Sequence, residues 1–109
     1  MSGPKIPFDA SLAPSAQSSR IKVAGEVDLT TAPRLSGLLN QATRSAHGPV
    51  EVDLAGVSFC DASGVNALVS ARCSLTALGR RLVLVNVPAQ IARVLMIAAG
   101  SALLESAAD

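Results

Sequence analysis

Apolar and polar residues change period several times along the chain, and each change marks an element. From Arg20 to Val27 they alternate. Ile21, Val23 and Val27 fall on one side with Gly25 between them, and Lys22, Ala24 and Glu26 fall on the other. A period of two is that of a half-buried strand. Asp28-Leu29-Thr30-Thr31 turns the chain, and the period then becomes helical, with Leu35, Leu38, Leu39, Ala42 and Ala46 on one face. Thr30 or Thr31 is expected to cap this helix by accepting from a free backbone N–H. Pro33 fits its first turn, where a missing N–H costs nothing. His47-Gly48-Pro49 ends it.

Val50, Val52 and Leu54 alternate with Glu51 and Asp53, giving another half-buried strand. Ala55 to Cys60 reads as the connection to a second helix, which opens at Asp61-Ala62-Ser63-Gly64. Gly64, Leu68, Ala71, Leu75 and Leu78 form one apolar stripe on it, and Val65, Val69, Cys73 and Thr76 a second beside it. Two stripes imply a helix buried over more than half its circumference, or one that keeps an apolar strip for a partner. Gly79 supplies the stop. Leu82 to Val85 is a continuous apolar run, the form of an interior strand with both faces covered. Asn86-Val87-Pro88 leads into a third helix with Ile91, Val94, Leu95 and Ala98 on its apolar face, ended by Gly100. Ala102-Leu103-Leu104 suits a short edge strand or a tail. At the other end, Pro4, Pro7 and Pro14 interrupt regular structure, Phe8 to Leu12 suits an edge strand, and the first residues are expected to be loose.

Strand–helix–strand crossovers place neighbouring strands parallel, and the N-terminal pair adds an antiparallel edge. The fold class is therefore α/β, a single small mixed β-sheet of four to five strands packed with three to four helices. Residues 18–109 form the domain, and 1–17 a flexible or edge-strand segment before it.

The chain has 109 residues, enough for one domain. Half of them are apolar but only two are aromatic, so the core is aliphatic and Ala-rich. That composition argues against the aromatic platforms on which nucleic-acid bases stack. The net charge is +1 and the basic residues form no run; Arg80-Arg81 reads as a solvated turn. Cys60 falls in the connection and Cys73 well inside the helix; ten helical residues at about 1.5 Å each separate them by roughly 15 Å, beyond the reach of a disulfide. A reduced, cytoplasmic setting fits, with at least one of the two a small buried apolar residue. No segment has the length of a membrane helix, and the N-terminus lacks the charged-then-apolar pattern of a signal peptide.

The search for catalytic chemistry finds little. Gly56 and Gly64 do not make a phosphate loop, since no Gly-Lys-Ser/Thr follows. The only histidine, His47, lies far along the chain from Ser63 and Cys60 and reads as a surface residue. Asp28, Asp53 and Asp61 fall at expected strand ends, where capping and turn roles are ordinary for Asp. What remains is a helix start with small polar residues, whose free N–H groups favour negative charge. A Ser there suits a reversible phosphate.

Gly25-Glu26-Val27-Asp28-Leu29-Thr30-Thr31-Ala32-Pro33, Val52-Asp53-Leu54 and Val57-Ser58-Phe59-Cys60-Asp61-Ala62-Ser63-Gly64-Val65 together resemble the STAS family, and within it bacterial anti-sigma-factor antagonists. The resemblance spans residues 18 to 105. It implies a protein that binds an anti-sigma factor, usually of kinase-like ATP-binding fold, and so frees a sigma factor; the partner kinase phosphorylates the residue directly after the motif's Asp. Here that residue is Ala62, which has no hydroxyl. The resemblance thus implies an antagonist that is always available, or one controlled otherwise, for instance through Ser63. The implied partner surface comprises Asp28, Thr30, Thr31, Ser58, Phe59, Asp61, Ala62, Ser63 and Gly64, with the exposed side of the helix at Val65, Asn66 and Val69. No enzymatic activity, cofactor, metal, direct nucleic-acid contact or membrane contact is expected. A different reading stays open: a STAS accessory subunit of an ABC system for phospholipid transport, touching its ATPase.

Overall fold

The computed structural model describes residues 7–14, 18–45 and 47–104. The expected looseness of the first residues, the place of Ala46 on its helix and the end of the tail lie outside these. The chain runs β1 (Asp9–Pro14), β2 (Ser19–Val27), α1 (Ala32–Ser45), β3 (Val50–Cys60), α2 (Ala62–Ala77), β4 (Leu82–Val85) and α3 (Ala89–Ala99), followed by a single 3₁₀ turn, Gly100–Ala102. The four strands make one sheet in the order β1-β2-β3-β4. β1 is antiparallel to β2, as a hairpin-like edge; β2, β3 and β4 are parallel. This is the expected α/β architecture, a four-stranded mixed sheet with three helices.

Alternation decides which way each strand faces. Ile21, Val23 and Val27 of β2, Val50, Val52 and Leu54 of β3, and Leu82 and Leu84 of β4 are all buried. They join one aliphatic cluster with Leu35 and Leu39 of α1, Leu68 and Leu75 of α2, and Ile91 and Leu95 of α3. α1 packs on α2, and α2 on α3. Leu103 is also buried in this cluster, so Ala102–Leu104 is neither a strand nor a free tail but a plug behind α3.

The alternate positions of the sheet carry a polar row. Arg20 donates to the Asp53 carboxylate at 3.1 Å and lies 3.5 Å from Glu51. Asp53 is not at a strand end, as expected, but in the middle of β3, opposite Lys22 and Val85, and is 7% exposed. Burial pushes its pKa up; hydrogen bonds from the Ala55 N–H, Arg20 and Asn86 outweigh that and hold the carboxyl below its usual value.

Three further expectations change. Ala55 to Cys60 is not a connection: it continues β3, paired with Ala24 to Val27 through two register shifts. The bulges break the period of two, so the buried residues after Leu54 are Val57 and Cys60, three apart. β4 is not interior but an edge strand, bonded to β3 alone. Its unbroken apolar run reflects burial of Val83 as well as of Leu82 and Leu84, not a partner on each side. Arg80 is not solvated: its guanidinium donates to the carbonyls of Gly48 at 2.9 Å and Thr43 at 2.6 Å, and so closes the C-terminal end of α1. His47 is exposed.

α2 stops as Gly79 predicts. Gly79 takes φ 70°, its N–H donates to the Thr76 carbonyl, and the Arg80 N–H reaches back to Leu75. This is the Schellman pattern. Leu78, expected in the buried stripe, is the residue displaced by that turn and is 58% exposed.

Candidate functional site

β2 and β3 end side by side, with Glu26 opposite Phe59 and Val27 opposite Cys60. The Asp61 N–H donates to the Val27 carbonyl at 3.0 Å, which ties the start of α2 to the end of β2. Asp61 has extended backbone, and its Oδ1 accepts from the N–H groups of Ser63 at 2.8 Å and Gly64 at 3.3 Å. Asp61 is therefore a helix cap that satisfies two orphan donors.

Ala62 is the first residue of α2 and is exposed; Ser63 is half-buried. Gly64 is held by space. A Cβ there would stand 2.6 Å from Cys60 Sγ and 2.7 Å from Val27 Cγ1. Only glycine lets the helix approach the two strands this closely. Cys60 is buried beneath that contact, and its thiol is pushed up to about 11, first by burial and then by the Asp61 charge. It does not pair with Cys73, which is exposed.

The β2–α1 turn stands beside this helix start. Here the cap differs from the expected one. Asp28 Oδ1 accepts from the Thr30 N–H at 3.0 Å, the Thr30 hydroxyl at 2.7 Å and the Thr31 N–H at 3.2 Å. The Thr31 hydroxyl reaches back, accepting from the Asp28 N–H at 2.9 Å and donating to the Glu26 carbonyl at 2.9 Å. The carboxylate, not a threonine, thus caps, and Thr31 completes a reciprocal box. Hydrogen bonding, led by the Thr30 hydroxyl and opposed by some desolvation, lowers the Asp28 pKa.

The structure thus brings Asp28, Thr30, Thr31, Ser58, Phe59, Asp61, Ala62 and Ser63 to one end of the sheet. Gly64 lies under that surface and shapes it. Val65 does not belong to it: at 3% exposure it faces the core. Asn66 is exposed and Val69 half-buried, on the flank where α2 meets α3. There they border a cleft of about 240 Å³ with Arg72, Ala98 and Ala99.

Two features had no flag in the motifs. Gln90 of α3 donates to the Ser58 carbonyl at 3.3 Å, joining the third helix to this end of β3. Leu29, at the tip of the turn, is 75% exposed; the available signal was one large apolar residue among four otherwise polar turn positions. Among the described residues, no group of three His, Cys, Asp or Glu side chains is placed to hold a metal ion, and no helix is long and apolar enough to cross a membrane.

Comparison with known proteins agrees with this fold. The model of one family, described as "Mlab, STAS domain", matches residues 10–105. The structure of the anti-sigma factor antagonist SpoIIAA in its unphosphorylated form is similar at 21% identity and TM-score 0.68, covering 84% of this chain and 83% of that one. An anti-sigma factor antagonist from Mycobacterium paratuberculosis is similar at 20% identity and TM-score 0.61, covering 78% and 71%. The murine Solute Carrier 26 family member A9 anion transporter, inward-facing, is similar at 20% identity and TM-score 0.70, over 81% of this chain but 15% of that one. At these identities the likeness establishes a shared fold.

Proposed function

The chain belongs to the STAS domain family, and from that premise we propose that it is an anti-sigma factor antagonist: a protein that docks on an anti-sigma factor of kinase-like ATP-binding fold and so releases a sigma factor. The observation that carries this reading is the end of the sheet where the Asp28 turn and the Asp61-capped start of α2 meet on an exposed surface. Its polar groups are spent on the protein's own backbone, which suits recognition rather than catalysis. The two similar antagonists share the fold that builds this surface.

Regulation follows from one missing atom. Ala62 stands where the family carries its phosphoacceptor, so docking through this surface is not switched there. The antagonist is then constitutively available, and its output follows its amount. Control through the half-buried Ser63 hydroxyl is the alternative. Incubation with the partner kinase and ATP, followed by phosphosite mapping, separates the two, because only the second predicts phosphate on the wild type.

A second reading keeps the fold and changes the partner: this chain is the STAS accessory subunit of an ABC system for phospholipid transport and contacts its ATPase. The matching family model, described as "Mlab, STAS domain", favours it, and a membrane anion transporter contains the same fold as a small part. The deciding experiment is cross-linked co-purification from the source cells, then calorimetry with the purified partner and release of sigma factor in transcription assays. An anti-sigma factor that binds and yields its sigma factor supports the first reading; enrichment and direct binding of a transport ATPase overturns it.

A further inference from the structure

The two edges of the sheet differ. The Ser19 N–H donates to the Pro49 carbonyl, so Ser19 and Ile21 give their backbone groups to β3, and Arg20 and Lys22 give theirs to β1. In the antiparallel register Ala13 and Ser11 answer Arg20 and Lys22. Ala10 and Leu12 therefore turn their N–H and C=O groups outward. Pro14 falls in the same outward set, where its missing N–H costs nothing. Among the described residues β1 is bonded to β2 alone, and Ala10 and Leu12 are half-buried. Ala10 to Ala13 carries no charge, proline or bulge, the usual protections of an edge. At the other edge the outward residues of β4 are Leu82 and Leu84, 2% and 0% exposed, which leaves no such opening.

We propose that β1 is a self-association edge, which pairs antiparallel with β1 of a second copy about a two-fold axis at Ala10. Side chains on both faces fit that register. On the helix side Leu12 comes opposite Phe8 of the second copy, and both residues are only partly buried against their own core. On the open side Ser11 comes opposite Asp9 of the second copy, with Lys22 next in the row. Lys22 and Asp9 are exposed and line one hollow of about 440 Å³ on that face. Neither makes an ion pair with another described residue. Two strand spacings, about 9.6 Å, separate Lys22 from Asp9 of the second copy, a span that a lysine side chain bridges. Moving the axis to Ser11 would instead bring that Asp9 beside Ala13 and Arg20, whose guanidinium is already engaged by Asp53 and Glu51. Charge complementarity thus selects the Ala10 axis, and the two-fold makes every contact twice. The product is a continuous eight-stranded sheet. Because the pairing is antiparallel, the two Ala62 ends point in opposite directions and both stay open. The proposal does not depend on which partner docks there.

The test is sedimentation equilibrium over a dilution series, on the wild type, Ala10→Pro, Lys22→Asp, Asp9→Lys and an equal mixture of the last two. The wild type shows the mass of two chains and dissociates on dilution. Ala10→Pro removes an N–H that the fold does not use, so circular dichroism is unchanged. Self-association weakens about tenfold or more, because each copy loses a donor at the axis. Lys22→Asp and Asp9→Lys each set like charges side by side and stay single chains; mixing them restores the two-chain species, since each offers the charge that the other lacks. A wild type that keeps the mass of one chain at the highest concentration overturns the proposal, whatever other strand uses the edge. So does a two-chain species that Ala10→Pro leaves unchanged, or charge reversals that mixing does not rescue.

Discussion

Gly64 and Gly37 are both helical glycines, and replacing each with alanine moves stability in opposite directions. In a helix, alanine is better than glycine by about 0.8–1.0 kcal/mol, because glycine loses more backbone freedom on folding. Gly37 of α1 has nothing within 4 Å of an added Cβ, so Gly37→Ala keeps most of that gain and stabilises by about 0.5–1 kcal/mol. At Gly64 the same methyl meets Cys60 Sγ at 2.6 Å and Val27 Cγ1 at 2.7 Å. Both lie in the sheet core, on residues paired to each other in the ladder, so the start of α2 must shift. Overpacking of this kind costs about 1–3 kcal/mol, and two contacts below 3.0 Å place the cost in the upper part of that range. The net effect of Gly64→Ala is a loss of about 1–2 kcal/mol. For a domain of this size, 1 kcal/mol moves the thermal midpoint by about 4–8 °C. The assay is thermal and urea unfolding followed by circular dichroism on both variants, with Cys60→Ala and Cys60→Ala/Gly64→Ala beside them. Removing Sγ takes away the closest contact, so the Gly64→Ala penalty is smaller in that background. A Gly64→Ala protein as stable as Gly37→Ala, or a penalty unchanged by Cys60→Ala, refutes the close-approach argument.

Other outcomes are expected. Ala62→Glu leaves the fold intact and raises its stability slightly, by about 0.3–1 kcal/mol, since an acid at the first helical residue faces the positive end of the helix dipole; chemical denaturation measures it. Native protein at pH 8 exposes one thiol per chain to a disulfide reagent and unfolded protein two, because Cys73 is exposed while Cys60 is buried with its thiol pushed up to about 11. Asp53 titrates lower when folded than its ordinary 3.8, so its contribution is complete above that value and is lost as pH falls through the folded pKa. Asp53→Asn therefore flattens the dependence of stability on pH below about 4. Arg20→Ala costs about 1 kcal/mol, since the carboxylate keeps its Ala55 N–H bond.

Much of this was legible in the chain, for reasons that also explain the rest. Ile21, Val23 and Val27 announce β2 because a half-buried strand has a period of two, and Asp61 announces the α2 cap because few other residues accept from two N–H groups. The length of β3 was not legible: its bulges break the period after Leu54, and the pattern then imitates a loop. The edge position of β4 was hidden because apolar runs report covered faces, whereas edges depend on backbone pairing. The sequence points to the threonines and not to Asp28 as the cap, because which oxygen reaches which N–H depends on the turn's geometry. Val65 reads as outward-facing because α2 has small or apolar residues on several sides, yet Gly64, Val65, Ala67 and Leu68 are all buried. At the functional end, the motif located Ala62, and the exposure of Leu29 required coordinates.

The two register shifts in β3 make the segment from Ala55 to Cys60 a ruler. Each extra residue turns the strand over by one face, and two of them restore the phase, so that Cys60 points inward and Asp61 arrives where it meets the Val27 carbonyl. Removing or adding a single residue there would leave the sheet upstream intact and deliver the helix cap upside down. Chain length here has no loop to absorb a change, because Gly56 to Cys60 are paired to β2. Between the middle of β3 and α2 it is counted, and the residue at position 62 owes its place to that count.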